Sequence, residues 1–515
     1  MKKIIICLAF SMLTWHSFAQ DIPVKITKSE LFKDEYKNSN IVLVEDDGSG
    51  GVVIVRSYAG GIFSSGYGYY FEHYDSNLKL LKEYEYQSKV KKEDKKIYRS
   101  ILGVIMNGKE INMIEYIYDK KLQSVTFNAL TSNINDFDFT SKELFNMNSK
   151  DAESGNSGKD RDAGAQMIIN EDKTAFAITV DIKDKNSETH KIYLFDKALN
   201  QKIDHTFKRD IKDRKFIYEN IDVSKDGNTL YLLGKVKTDE AKKKKDGGRY
   251  QYELTRITST DEKTQVFDTD EHYAASLKTI IFQDRLTCIG FYSDRNDSRF
   301  KGISYFELDP NSLAIKKSKF NPFTEQFMID KYGKDKDKEL KNLRFKQLII
   351  TPQNEIILNA EEYYEVYTHV MTQNGGGYDR WTYHYDDIVS AKINSDGAIV
   401  WARNINKRQD TSVYGNPFFS YTSTAKGADA YFFINTGEKV RKIRKDRIEF
   451  KEASPKRSNL TVIRINENGD FDYREVLDDE ENEVPFMVAY GELTGDSVFF
   501  LGQKGKKKQL LKLTL

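Results

Sequence analysis

Residues 348–409 read LIITPQNEIILNAEEYYEVYTHVMTQNGGGYDRWTYHYDDIVSAKINSDGAIVWARNINKRQ. Two hairpins are visible in this segment, because polar turns at residues 351–354 and 394–397 each separate two apolar runs. The second turn contains Asp396 and Gly397, and Asp-Gly between two alternating apolar runs is a strong hairpin signal. Two successive hairpins make four strands, so the segment predicts a small antiparallel sheet with a glycine-rich loop between its hairpins.

Weaker copies of the first hairpin recur along the chain. Their central residues are Val44, Ile105, Ile169, Val223, Ile281, Ile350, Thr424 and Tyr490. A second hairpin follows most of them, and four strands repeated at a fixed period are typical of a β-propeller blade. One four-stranded sheet cannot bury both faces alone, whereas blades packed in a ring cover one another. We therefore predict an all-β fold, a single β-propeller of about eight four-stranded blades, with seven blades as the alternative.

The last copy is one strand short, and the run IPVKIT at residues 22–27 has no hairpin partner. We predict that residues 22–27 pair with a C-terminal strand at 509–515, so that strands from both termini close the ring and remove a free sheet edge. The propeller domain would then span residues 20–515. Polar loop insertions are expected near 146–165, 239–249, 330–343, 361–387 and 437–459. The insertion at 330–343 resembles a short solvated helix.

The first 19 residues have the pattern of an export signal. Lys2 and Lys3 precede an apolar run at 4–13 that is too short to span a bilayer, and Ala19 ends a small-x-small cleavage site. No later stretch of about 18 apolar residues exists, so no transmembrane segment is predicted. The expected location is outside the cytoplasm, in the periplasm, at the outer membrane or beyond the cell.

Composition argues against nucleic acid as a partner. Without the signal, 78 basic residues face 79 acidic ones, and a net charge near zero gives no global attraction to phosphates. The densest basic stretch, residues 439–457, also contains acids; it is interpreted as an exposed charged hairpin, with binding to an anionic glycan or lipid headgroup as the alternative. Cys288 is the only cysteine after the signal, so no disulfide can form within the mature chain.

Sequence motifs for catalysis are absent. The chain has no GxSxG, Walker A, HExxH or CxxC motif. Six histidines follow the signal, and none has a partner at metal-ligand spacing on an evident helix. His369 and His384 flank one loop and precede Asp386 and Asp387, so convergence on a metal ion is one interpretation; polar residues that frame an exposed hairpin are the preferred one. No metal and no cofactor are predicted.

Aromatic residues are concentrated in the insertion at 361–387. Seven lie within 23 residues: Tyr363, Tyr364, Tyr367, Tyr378, Trp381, Tyr383 and Tyr385. Flat rings with polar tips suit sugar rings or partner side chains; alternatively, the rings pair across strands and pack on a neighbouring blade. The candidate binding residues are Tyr363, Tyr364, Trp381, Tyr383 and Tyr385, on an extended hairpin with the glycines 375–377 at its tip.

Two sets of short phrases carry a resemblance. VSKDGNTLYLLG at residues 223–234 resembles the turn phrases of secreted bacterial propellers of the TolB-like or PD40 kind. EEYY, YHYDDIV and GAIVW, within residues 355–409, look like phrases of exported proteins of the Bacteroidota. The resemblance implies an envelope location and supplies no catalytic residues. We expect a binding or scaffold module for a protein or glycan partner, with a hydrolase or lyase site in the central funnel as the alternative.

Overall fold

The computed structural model describes residues 22–59, 67–87, 97–148, 164–182, 186–212, 215–237, 250–267, 272–282, 285–294, 299–371, 377–445, 447–451 and 458–515. The predicted signal peptide at 1–19, the insertion at 239–249 and most of the insertion at 146–165 lie outside the described residues.

The described chain forms eight antiparallel blades. Two short strands come first, β1 (Lys25–Lys28) and β2 (Phe32–Lys33). Blade 1 contains β3 (Asn38–Asp46), β4 (Val52–Ala59), β5 (Tyr67–Tyr74) and β6 (Leu80–Gln87). Blade 2 contains β7 (Ile97–Asn107), β8 (Glu110–Asp119), β9 (Ser124–Asn133) and β10 (Thr140–Asn148). Blade 3 contains β11 (Ala165–Ile169), β12 (Ala175–Asp181), β13 (Glu188–Asp196) and β14 (Gln201–Arg209). Blade 4 contains β15 (Phe216–Val223), β16 (Leu230–Lys237), β17 (Tyr250–Ile257) and β18 (Glu262–Phe267).

The second half repeats this order with additions. Blade 5 contains β19 (Tyr273–Phe282), β20 (Arg285–Ser293), β21 (Gly302–Leu308) and β22 (Ile315–Pro322), and helix α1 (Glu325–Tyr332) follows it. Blade 6 contains β23 (Leu343–Ile350), β24 (Ile356–Met371), β25 (Gly377–Ile393) and β26 (Ile399–Ile405). The short strands β27 (Lys407–Arg408) and β28 (Asp410–Thr411) come next. Blade 7 contains β29 (Thr422–Lys426), β30 (Asp429–Thr436), β33 (Asn459–Ile465) and β34 (Phe471–Leu477), with the short strands β31 (Arg441–Lys442) and β32 (Ile448–Lys451) inserted. Blade 8 contains β35 (Glu492–Thr494), β36 (Ser497–Lys504), β37 (Lys507–Thr514) and the N-terminal β1.

The burial of a strand follows its place in the blade. Second strands such as β12 are almost wholly buried apolar runs, because a neighbouring blade covers each face. Fourth strands such as β6 are exposed along most of their length. The turns bring blades close together: Gly397 has a φ of +78°, and a Cβ there would lie 2.3 Å from the Tyr305 ring of blade 5. Glycine is therefore required at this turn both for its conformation and for the close approach.

The ring closes between blades 8 and 1. Within the described residues, hydrophobic clusters join each pair of neighbouring blades, and one of them packs Ile54 of blade 1 against Phe499 of blade 8. Strand β1 pairs antiparallel with β37, with Ile26 opposite Leu513. The predicted pairing of strands from both termini is confirmed, with the N-terminal strand at Lys25–Lys28 instead of 22–27, and the described residues form eight blades.

A buried ionic cluster ties the N-terminal segment to blade 1. Arg56 Nη1 donates to Asp34 Oδ2 at 2.7 Å, and Arg56 Nη2 donates to Glu72 Oε1 at 2.5 Å. The guanidinium carbon lies 4.9 Å from the Phe32 ring centre and 4.8 Å from that of Tyr70. A cavity of about 930 Å³ lies beside this segment, and Arg56 is one of its lining residues. Both carboxylates form ion pairs with the Arg56 guanidinium. We therefore interpret the cluster as a structural contact that fixes the N-terminal segment to blade 1.

The prediction of a solvated helix at 330–343 is wrong. The helix occupies Glu325–Tyr332, begins after the N-cap Thr324 and ends at Gly333, and residues 333–342 contain no helix. Phe327 is fully buried in the cluster between blades 5 and 6, so the helix packs on the ring rather than standing in solvent. Among the described residues, no helix is long and apolar enough to cross a membrane.

Candidate functional site

Blade 6 carries a hairpin that extends well beyond the sheet. Strands β24 and β25 contain 16 and 17 residues, and their pairing continues from Tyr363 opposite Tyr385 to Met371 opposite Gly377. A shift in register between Glu361 and Tyr363 separates the blade from its extension. The predicted extended hairpin is confirmed; its expected glycine tip lies mostly outside the described residues, and Gly377 is the first residue of β25.

The cross-strand register places most of the aromatic residues on one face. Tyr363 packs on Tyr385 and Tyr367 packs on Trp381, each with ring centres 5.1 Å apart. Tyr383 shares this face, because it lies two residues from each of Trp381 and Tyr385. Tyr364 does not: it alternates with Tyr363 and stacks on His384 on the opposite face, at 4.4 Å. The five predicted residues therefore do not form one surface.

The solvent exposure of the aromatic side chains increases along this face with distance from the propeller. Tyr385, at the base, is 6% exposed and meets Phe419 edge-on. Tyr383 is half-buried, whereas Trp381 and Tyr367 are 47% and 51% exposed. Tyr385 thus belongs to the packed interior, and the outer rings face solvent.

A further aromatic residue joins this face from another part of the chain. Tyr414, in the connection to blade 7, is 67% exposed and meets Tyr383 edge-on at 5.4 Å. It is held there because β28 pairs with β25, with Thr411 opposite Tyr383. We name the exposed Tyr367, Trp381 and Tyr414, together with the half-buried Tyr383, the aromatic patch. Sequence reasoning missed Tyr414, since only long-range pairing brings it to the hairpin.

The polar end of the patch is formed by a histidine–carboxylate pair. His369 Nδ1 lies 2.7 Å from Asp379 Oδ1, and these two residues are cross-strand neighbours on the aromatic face. Hydrogen bonds from His369 and Tyr367 lower the pKa of Asp379, so its carboxylate stays ionised at neutral pH. His384 lies on the other face, so the two histidines of the loop do not meet at a common metal site.

A fully buried lysine fixes the base of the hairpin. Lys407 Nζ donates to Glu361 Oε1 at 2.9 Å, to the carbonyl oxygen of Tyr385 at 2.6 Å and to Gln409 Oε1 at 3.0 Å. The second Glu361 oxygen accepts from Ser420 Oγ at 2.7 Å. Each charge is paired and hydrogen-bonded, as a buried ion pair requires.

Helix α1 anchors the other side of the base. Lys331 Nζ lies 2.8 Å from Glu362 Oε2 and 2.7 Å from Asp387 Oδ2. Burial alone would lower the pKa of Lys331, but Asp387 and Glu362 outweigh it and raise that pKa above its usual value. Asp330 on the same helix pairs with Arg403 of blade 6 at 2.6 Å. The patch therefore stands on a base that two sets of ion pairs hold rigidly.

The central funnel has a different chemistry. On the first strand of each blade, which lies innermost, there is no histidine among the described residues, and two half-buried residues there, Asp222 and Glu492, have raised pKa values. Burial raises the pKa of Asp222 to about 7 against the effect of Lys278. Burial also raises the pKa of Glu492 to about 7, with Lys173 opposing and Glu45 adding to the shift. Lys173 itself forms an ion pair with Glu45. None of these observations favours the hydrolase or lyase alternative.

Comparison with known proteins assigns no family. No family model matches the chain, and no curated protein matches its sequence. Among solved structures, the β-propeller domain of the trilobed protease from Pyrococcus furiosus is 10% identical at a TM-score of 0.34, over 76% of this chain and 100% of that one. Prolyl oligopeptidase B from Galerina marginata is 10% identical at a TM-score of 0.36, over 90% of this chain and 56% of the other.

Acylaminoacyl peptidase from Pyrococcus horikoshii is also 10% identical, at a TM-score of 0.34, over 79% of this chain. The match spans about half of that peptidase, 49% of its length. Similarities of this size identify neither a family nor an activity for this chain.

Proposed function

We propose that this protein is an exported, non-catalytic β-propeller that binds a protein or glycan partner through the aromatic patch. The observation that supports the proposal most is the contrast within the hairpin. Its outer rings at Tyr367 and Trp381 face solvent, while buried ion pairs of Glu361 and Lys407 hold its base. A preorganised surface loses little conformational entropy on binding, so such rings are favourable anchors.

The chemistry of the patch suits a ligand with both apolar and hydroxyl-bearing surface. Tyr and Trp rings offer flat apolar faces, on which sugar rings or partner side chains can lie, and polar atoms at their edges. The ionised Asp379 beside His369 adds an acceptor at the outer end of the same face. These features favour a glycan or a protein segment over a purely apolar ligand.

Export is part of the proposal. Its support is the basic, apolar and small-residue pattern of residues 1–19. A propeller in the cell envelope would meet glycans and other envelope proteins, which are the two partner classes considered.

The test uses the mature full chain and two variants. Immobilised wild-type protein is exposed to envelope extract and, separately, to an array of glycans, and the retained material is compared with that on Trp381→Ala/Tyr383→Ala. Removing two anchor rings should weaken binding by about 2 kcal/mol or more, as at interface hot spots. Tyr378→Ala is the matched control, because Tyr378 is an exposed tyrosine on the same hairpin but on the opposite face.

The two assays separate the partner classes. Retention of a protein from extract, lost in the double variant and kept in the control, supports a protein partner, and the same pattern on the array supports a glycan. Retention that is equal for all three proteins would overturn the assignment of the patch.

A further inference from the structure

Three side chains with metal-ligating atoms meet in blade 3, away from the hairpin. Asp181 ends β12, and Glu188 and His190 begin β13; one ligand atom from each lies within 4.8 Å of the others. His190 Nε2 is 2.6 Å from Glu188 Oε1. Of the described residues, this is the one group of three or more such side chains that come so close together.

Strand register explains why these residues converge. Asp181 and His190 are directly opposite in the antiparallel pair of β12 and β13. Glu188 lies two residues before His190 on the same strand, and side chains two apart point to the same face. All three therefore project from one face of one hairpin.

The surroundings protect the group on one side and open it on the other. Glu188 and His190 are each only 5% exposed, and the His190 ring lies 5.4 Å from that of Tyr218 in blade 4. Asp181 is only half-buried, which leaves a path from solvent. Arg209, the cross-strand neighbour of Glu188, directs its guanidinium to Glu253 at 2.8 Å instead.

We propose that Asp181, Glu188 and His190 bind one divalent d-block cation, with Zn²⁺ as the representative, and leave one coordination position for water. An imidazole and two carboxylates are the mixed nitrogen and oxygen donors that such ions accept, whereas Ca²⁺ and Mg²⁺ prefer oxygen donors alone. Zinc bonds of about 2.1 Å in a tetrahedral site place ligand atoms about 3.4 Å apart, so only small side-chain rotations are needed.

A cation at this position also has an electrostatic advantage. Two carboxylates held this close together repel one another when both are ionised. A divalent ion would neutralise both charges.

The experiment measures Zn²⁺ binding to the mature full chain after treatment with EDTA and dialysis. Titration calorimetry should show that one Zn²⁺ binds per chain. Co²⁺ bound at the same site should produce the visible absorption bands that are typical of tetrahedral coordination. His190→Ala should weaken Zn²⁺ binding by about 100-fold or more, since it removes a direct ligand and even outer partners contribute 10- to 100-fold. Asp181→Asn should weaken binding by about tenfold or more.

His205→Ala is the matched control. His205 lies in the same blade and is 2.7 Å from Glu262, but it belongs to no cluster of three ligands among the described residues. Its removal should leave Zn²⁺ binding unchanged. Circular dichroism and thermal melts in EDTA establish that each variant is folded; if His190→Ala fails to fold, Asp181→Asn, which keeps the side-chain shape, decides the test.

Two outcomes would overturn the proposal. The first is that folded wild-type protein shows no saturable Zn²⁺ binding. The second is that His205→Ala reduces binding as much as the folded site variants do, which would indicate scattered surface binding. Retention of the partner of the aromatic patch is a separate readout, so failure here leaves the proposed function unaffected.

Discussion

Trp381 and Tyr385 lie on the same strand and the same face, but their surroundings differ. Tyr385 is buried against Phe419, and its carbonyl oxygen accepts a hydrogen bond from the buried Lys407. Trp381 touches Tyr367 and is otherwise half-exposed. One aromatic residue therefore stabilises the base of the hairpin, while the other is available to a ligand.

This difference predicts losses of stability of different size. Trp381→Ala/Tyr383→Ala should lower the free energy of unfolding by about 1 kcal/mol or less, because exposed positions usually contribute less than about 0.5 kcal/mol each. Tyr385→Ala should lower it by about 3 kcal/mol or more, as for other large-to-small core substitutions. Urea melts of the two variants measure both values. A large loss in the double variant would identify its rings as core and end the case for the aromatic patch.

The Glu361–Lys407 pair gives a second prediction at this scale. Lys407→Met should destabilise the protein by about 3–5 kcal/mol, because it leaves the buried Glu361 carboxylate without its counter-charge. The double variant Lys407→Met/Glu361→Leu should recover much of that loss, since no charge then remains buried. Urea melts of both variants test this. If the double variant is no more stable than the single one, the lost stability comes mainly from the hydrogen bonds to Ser420 and Tyr385 and not from the unpaired charge.

The raised pKa of Asp222 leads to a prediction of how the stability of the protein depends on pH. Its folded-state pKa of about 7 lies above the ordinary value of 3.8, so the folded protein holds this proton more tightly than the unfolded chain does. The contribution is fully present below about pH 4 and is lost as the pH rises towards 7, at no more than about 1.4 kcal/mol per pH unit. Asp222→Asn should remove this slope. The check is the difference between the two proteins in urea melts across pH 4–8; parallel curves would contradict the prediction.

At the scale of the element, local signals explain what the sequence could predict. Each of the eight inner hairpins occupies its expected place, because alternation and turn residues act within a few positions of one another. Helix α1 was expected too late in the chain, although Thr324 and Gly333 were its cap signals. The positions of Tyr414 and of Asp181 beside His190 depend on pairing between strands, which no single stretch contains.

The hairpin extension should be separable from the ring. Replacing residues 364–384 by a two-residue Asn-Gly turn keeps Tyr363 and Tyr385 and preserves their pairing. None of the described residues of this interval, 364–371 and 377–384, belongs to a hydrophobic cluster between blades, so the thermal melt should shift little. Partner retention should be lost. A large fall in melting temperature would mean that the extension contributes to the fold itself.

At the scale of the whole molecule, stability depends on an unbroken ring. Every blade buries its faces against two neighbours, and blade 8 is complete only with β1. Deleting residues 20–30 removes β1 and leaves the edge of β37 open. The melting temperature should fall and aggregation should rise, because an open strand edge pairs with other chains. Differential scanning calorimetry and light scattering measure the two effects.

A milder change serves as the control for that deletion. Ile26→Thr keeps β1 and alters a partly exposed side chain, so it should change the melting temperature little. An unchanged melt after the deletion would mean that the ring closes in another way.

The pairing of β1 with β37 also bears on how the chain is made. Synthesis at about 5–20 residues per second implies roughly 25–100 seconds between the first strand and the last. During that interval β1 has no partner strand, and the face of blade 1 that meets blade 8 stays uncovered. A chain that stops before Lys507 never gives β1 its partner strand, and it also lacks Leu510 from the cluster between blades 8 and 1. Products that lack β37 should therefore be recognised by chaperones and proteases through the unpaired strand β1.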